Sequence, residues 1–297
     1  MKLRGGVIGL GDMGSGLAKN LIKHGIETTG FDLSPARMQA FKEMGGKAAS
    51  SVAQVAHHAD AVYVMVMNGE QAKSVILGKY GLIGQLKKGS VIILTATIKP
   101  SQAQEIGAAM INSGVHLIDS PVSGGFQGAQ SGSLTMMAAG KSEILDEYKA
   151  FMQAVSSTIH HVGEKAGDGQ IVKACLQSLI GSIFTATFEA AALAAKAGVK
   201  GQVLYDVFSS SGAGCGVSKT ALENIIDRKF ENTGSHIATM HKDLTISLNM
   251  AEELGVPLHM AATAMQLFHA GKSKYPKGDN WVVTKIIEEI IGAELHR

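Results

Sequence analysis

The stretch VIGLGDMGSGLAKNL, residues 7–21, places Gly9, Gly11 and Gly14 at G-x-G-x-x-G spacing between an apolar run and a helical pattern. The three glycines serve a tight turn, close approach of backbone to a pyrophosphate, and packing of helix on strand. The helix that follows offers free N–H groups and a positive dipole end to phosphate oxygens. Alone, the spacing is weak, because glycine-rich turns also serve plain structure. A second feature strengthens it. TTGFDLSPAR closes another apolar run on Asp32, about 20 residues past the glycines, where an acid accepts the ribose hydroxyls of a dinucleotide. A carboxylate there repels a 2′-phosphate, so NAD is favoured over NADP, with Arg37 close enough to soften the preference. Ser34, before Pro35, is the better helix cap, which leaves Asp32 for the ligand.

Outward from this stretch the same alternation continues to about Gly163. LRGGVIG, ETTGF, AVYVMVM, SVIILT, VHLIDS, LTMMAAG and TIHHVG read as strands, with helical segments such as PSQAQEIGAAMINSG between several of them. That order predicts an α/β chain whose first domain is a doubly wound, mostly parallel (Rossmann) sheet. After Gly163 the strand signals stop and long helical runs take over, which predicts an all-α second domain. The expected boundaries are 1–163 for dinucleotide binding and 164–297 for substrate and oligomer contacts. The first helix of the second half should run from Asp168 to Lys196, roughly 40 Å. Its apolar residues surround it, so neighbours must cover it on all sides, a partner subunit among them.

Composition excludes several classes. The chain has 297 residues, 18% of them charged, with a formal net charge of +2. No basic run supports nucleic-acid binding. Two cysteines 40 positions apart, Cys175 and Cys215, form no disulfide framework, and no histidine spacing matches a metal site. The N-terminal apolar run is broken by glycines and stopped by Asp12, too short for a secretory leader. The long apolar helix is interrupted by Gln177, Ser178, Ser182, Thr185 and Thr187, unlike a membrane span. The expectation is a soluble cytoplasmic protein with no metal, no nucleic acid and no membrane partner.

Between Asp168 and Glu189 the only formal charge is Lys173. A lysine in such a run either snorkels to solvent, as is common near helix ends, or is kept for its chemistry. Gln177 lies four residues on, on the same helical face. In DSPVSGGFQGAQSGSL the small-residue turn Ser123-Gly124-Gly125 follows a strand end; it is either a flexible loop or an anion cradle. Lys242, followed by Asp243 in MHKDL, has the plain reading of a solvated charge pair.

GLGDMGSGLAKNL, DSPVSGGFQGAQSGSL, GDGQIVKACLQ and KDL, in that order, resemble the motifs of the β-hydroxyacid dehydrogenases over nearly the whole chain. The resemblance implies hydride transfer between NAD and the hydroxyl carbon of a small hydroxy acid. It implies that Gly9, Leu10, Gly11, Asp12, Met13, Gly14, Asp32, Met67, Asn68, Thr97 and Lys242 contact the cofactor, and that Ser123, Gly124 and Gly125 hold the substrate carboxylate. Lys173 is then the general acid/base, with its pKa lowered by burial and a neighbouring cation. Gln177 stands where asparagine is commonest, and this tilts the substrate towards a polyhydroxy acid. Further substrate contacts are expected in Ser211–Ser218 and at Asp279. Competing readings are a non-catalytic NAD(P)-binding sensor or interaction protein and an imine reductase; retention of Lys173 and Lys242 counts against the first. A homo-oligomer, dimer or tetramer, is expected.

Overall fold

The computed structural model describes residues 3–297 and divides into two compact units, one up to Lys173 and one from Ala174 onward. The first unit contains β1 (Gly5–Ile8), α1 (Asp12–Lys23), β2 (Thr28–Phe31), α2 (Pro35–Glu43), β3 (Lys47–Ala48), α3 (Val52–His58), β4 (Ala61–Val64), α4 (Gly69–Leu77) and α5 (Leu82–Gln85). It continues through β5 (Val91–Leu94), α6 (Pro100–Ala109), β6 (His116–Asp119), β7 (Val122–Ser123), α7 (Gly125–Ser131), β8 (Leu134–Ala139), α8 (Ser142–Gln153) and β9 (Ser156–Gly163). Helix α9 (Asp168–Lys196) starts in the first unit and continues into the second. There it is followed by α10 (Gly201–Ser210), α11 (Gly216–Ile226), α12 (Ile237–Leu254), α13 (His259–Lys274) and α14 (Val282–Ile291).

All seven expected strands are present. The sequence pattern does not flag β3 and β7, because two residues carry no alternation to detect. The sheet order is β3-β2-β1-β4-β5-β6-β8-β7, with β9 paired to β8. The run from β3 to β6 is parallel, and β8 lies antiparallel to β6. Strand order 3-2-1-4-5-6 is that of the doubly wound dinucleotide fold. Because helices cover both faces, the strands read as continuous apolar runs. Val7, Tyr63, Ile93 and Ile118 pack with Leu17, Leu21 and Phe151 on one face. Ile8, Val62, Val64, Ile92 and Leu94 pack with Val55, Ile76 and Ile106 on the other.

The second unit has its own core, in which Phe184 and Phe188 of α9 meet Leu222, Ile225, Leu244, Phe268 and Trp281. Helix α9 is long and apolar enough to cross a membrane by composition, with mean hydropathy 1.5 in its most apolar window. Phe188, at 0% exposed, is among its residues that form this core instead. Within the single chain one side of the helix is left uncovered. Val172, Leu179 and Leu193 are 38%, 58% and 73% exposed in the single chain, and their spacing puts them along one side. The compact units part within α9, whose first turn is bonded to the sheet of the first unit.

Candidate active site

Parallel registry fixes where ligands meet the sheet. Phe31, Ile8, Val64, Leu94 and Asp119, the last residues of β2, β1, β4, β5 and β6, are paired in one row. The segments that follow, containing Gly9–Gly14, Asp32, Met67 and Asn68, and Thr97, therefore leave the same carboxyl edge, where open α/β sheets bind ligands.

The first of these segments has the backbone that a dinucleotide requires. Gly9 has φ +88°, and a Cβ there would overlap the Met65 carbonyl. A Cβ at Gly14 would overlap the Gly9 carbonyl, so neither position tolerates a side chain. Gly11 is the N-cap of α1 and supplies no side-chain cap, which leaves first-turn N–H groups for phosphate oxygens. Asp32 accepts the Leu10 N–H at 2.7 Å and the Ser34 N–H at 2.8 Å, with the Arg37 guanidinium 3.5 Å away. Leu10, Gly11, Asp12, Ser15, Arg37, Ala40, Phe41 and Met44 line a cavity of about 230 Å³ beside them. This loop fits a dinucleotide. Ser34 caps α2 as expected, accepting the Arg37 N–H at 3.4 Å. Met13 lies on the same first turn of α1 and is half-buried against the core.

Met67 is 61% exposed, three residues past β4. Asn68 caps α4 by accepting the Gln71 N–H at 2.9 Å. Ser123 ends β7; Gly124 and Gly125 follow at φ +124° and +59° and open α7. That helix is tied to the dinucleotide helix. Asn20 of α1 donates to the Ala129 carbonyl at 2.9 Å, and Gln130 donates to the Asp12 carbonyl at 3.2 Å. Sequence reasoning passed over Asn20, although a polar residue on the buried face of an amphipathic helix was a usable signal.

Lys173 is 6% exposed on the second turn of α9. The turn before it is bonded to the sheet. Asp119, 0% exposed, accepts the Gly167 N–H at 2.8 Å and the Gln170 side-chain amide at 2.7 Å. Burial pushes the Asp119 carboxyl up to about 6, opposed by these donors. Gln170 also donates to the Ala96 carbonyl at 3.2 Å and accepts the Ile98 N–H at 3.0 Å, and so grips both neighbours of Thr97. Gly169 permits the close approach, since a Cβ there would lie 2.6 Å from the Met137 carbonyl oxygen and 2.7 Å from that of Asp119. Asp119 and Gln170 stand inside the second and third motifs, yet their roles were not legible. A glutamine three residues before the lysine on one helical face was the available clue.

In the second unit, Gln177 donates to Asp243 at 2.5 Å, and the Lys242 ammonium lies 2.9 Å from the other Asp243 oxygen. Asp243 is 4% exposed, so the pair is not the solvated one that sequence alone suggests. Asp279 is 0% exposed, and one carboxylate oxygen accepts both the N–H and the hydroxyl of Thr233 at 2.6 Å. His236 faces its other oxygen at 3.3 Å. This ties the 230–236 loop to the segment that leads into α14. Ser211 caps the loop after α10, and Ser218 is buried in the first turn of α11.

Comparison with known proteins agrees with this arrangement. The family described as the NAD binding domain of 6-phosphogluconate dehydrogenase matches residues 4–163. The family described as NAD-binding of NADP-dependent 3-hydroxyisobutyrate dehydrogenase matches residues 167–287. L-threonate dehydrogenase of Haemophilus influenzae is 34% identical over 286 residues, 96% of this chain and 95% of that protein. Mitochondrial 3-hydroxyisobutyrate dehydrogenase of Mus musculus is 31% identical over 291 residues, 96% of this chain and 87% of that protein. The crystal structure of 3-hydroxyisobutyrate dehydrogenase from Salmonella typhimurium superposes with a TM-score of 0.87 at 32% identity, covering 96% of this chain and 99% of that one. The chain belongs to the β-hydroxyacid dehydrogenase family and is a nicotinamide-dependent hydroxyacid dehydrogenase.

Proposed function

We propose that this enzyme oxidises a β-hydroxyacid or a four-carbon sugar acid with NAD, using Lys173 as general acid/base. The observation that carries the proposal is a lysine 6% exposed on a helix turn bonded to the ligand-binding edge of the sheet. Burying an amine costs desolvation energy, and a role in proton transfer accounts for keeping one there. When bound, the nicotinamide supplies the hydride acceptor. Lys173 Nζ takes the hydroxyl proton as the carbinol C–H bond breaks and the carbonyl forms; in reverse its ammonium returns that proton. Such catalysis contributes about 10²–10⁴-fold. Ser123, Gly124 and Gly125 hold the substrate carboxylate, and Gln177, one turn beyond Lys173 on the same helix, hydrogen-bonds the substrate.

The preference for NAD is supported by Asp32, an acid just past the second strand that accepts the Leu10 N–H and lies 3.5 Å from Arg37; an acid at that point of the fold disfavours a 2′-phosphate. Gln177, and relatives named for L-threonate, favour a polyhydroxy acid. The exposed apolar side of α9 supports a homo-oligomer, dimer or tetramer. Two free cysteines fit a cytoplasmic setting.

The test is initial-rate NADH or NADPH formation by the purified enzyme with L-threonate, D-erythronate, 3-hydroxyisobutyrate, glycerate and 2-hydroxymethylglutarate. Turnover of a sugar acid or β-hydroxyacid, faster with NAD, is expected. Tight NAD binding with no turnover of any of the five would contradict the proposal.

A further inference from the structure

The acid that opens the second motif does not face outward towards ligand. Asp119 is wholly buried, and both its oxygens point at donors: Gly167 N–H and, at 3.4 Å, Gln170 N–H on one, the Gln170 side-chain amide on the other. Gln170 cannot turn its amide over. Its oxygen is needed by the Ile98 N–H and its nitrogen by the Ala96 carbonyl. The network is therefore polar on every side and has one arrangement. It joins the end of β6, both flanks of Thr97 after β5, and the first turn of α9. Lys173 follows Gln170 by three residues, on the same side of that helix.

We infer that Asp119 and Gln170 are positioning residues that hold the Lys173 amine in register with the Thr97 segment. The inference rests on the proposal that Lys173 is the acid/base. A carboxylate is required at 119 because each oxygen must accept. Asparagine would set its NH₂ against either the Gly167 N–H or the Gln170 amide, donor against donor. An unmet buried donor shifts the turn, and misplacement of a reacting group by about 1 Å costs about 10²-fold in rate. Gly169 fits the same account. Its missing side chain lets the helix sit on the carbonyls of Asp119 and Met137, so the turn is fixed by contact as well as by hydrogen bonds.

The experiment measures kcat, hydroxy-acid KM and NAD affinity for the wild type, Asp119→Asn, Lys173→Ala and the double variant. Asp119→Asn should lower kcat about 10²-fold while NAD affinity stays at the wild-type value. In the Lys173→Ala background the same change should cost no more than about twofold, because coupled residues are not additive. A purely structural role would give equal losses in both backgrounds. That result, with Lys173→Ala itself slowed about 10³-fold, overturns the inference and leaves the acid/base assignment standing. Near-wild-type turnover of Lys173→Ala overturns both. Wild-type turnover of Asp119→Asn overturns the inference alone. If Asp119→Asn fails to fold, Gln170→Ala removes one arm of the same brace. It should cost roughly tenfold in kcat, again only when Lys173 is present.

Discussion

Strands β2 and β6 of one parallel sheet lead into an aspartate at the same edge, and the two acids do different work. Asp32, just past β2, binds two backbone N–H groups and stays near a cavity, beside a guanidinium 3.5 Å away. Asp119, the last residue of β6, is wholly buried and commits both oxygens to the start of α9. One carboxylate holds the backbone beside the glycine-loop cavity; the other fixes the start of the helix that carries Lys173. Position in the sheet is shared. Burial and the donor set decide the role.

The contrast is sharpest in acid. The Asp119 carboxyl is raised from 3.8 to about 6 by burial, so its protonated form is favoured in the folded state. Its contribution to stability is complete below about pH 4 and is lost as pH rises through about 6, a change of about 3 kcal/mol. Urea unfolding between pH 4 and 7.5 should show the stability of the wild type, relative to Asp119→Asn, falling by that amount. A constant difference would mean that Asp119 titrates as an ordinary acid. The carboxylate form needed for the brace thus costs stability, a common trade at functional sites.

Two glycines break the comparison from the side of packing. Gly169→Ala places a Cβ against two backbone carbonyls, which should cost about 1–3 kcal/mol in stability and lower kcat markedly. Gly11→Ala meets only the Arg37 guanidinium, at 3.7 Å. It should leave the melting temperature unchanged and weaken NAD binding alone, because it crowds the pyrophosphate approach. Thermal melts and NAD titrations of both variants separate the two effects; equal melting losses would contradict the distinction. The smallest effect is expected at Asp32. Asp32→Ser removes the charge and releases Arg37, and should move the ratio of kcat/KM for NAD over NADP towards NADP by about tenfold. An unchanged ratio would remove Asp32 from cofactor choice.

Much of the first unit was legible. The glycine spacing and Asp32 lead to the dinucleotide loop because backbone requirements leave fixed residue types at fixed intervals. The mostly parallel, doubly wound sheet follows from alternating β and α segments, and the extent of α9 from its unbroken helical run. Asp119, Gln170 and Asn20 were not legible as a brace, since long-range side-chain bonds leave no periodic trace. The burial of Asp279 was not legible either: an acid in a polar, glycine-containing segment looks exposed, and here Thr233 and His236 draw it inside.

The central claim is that Lys173 moves the proton. Its most direct test is the kcat of Lys173→Ala with the preferred hydroxy acid at saturating NAD, with NAD affinity measured on the same sample. The account predicts a loss of about 10³-fold with NAD binding intact. Turnover close to that of the wild type, with NAD still bound, would contradict it.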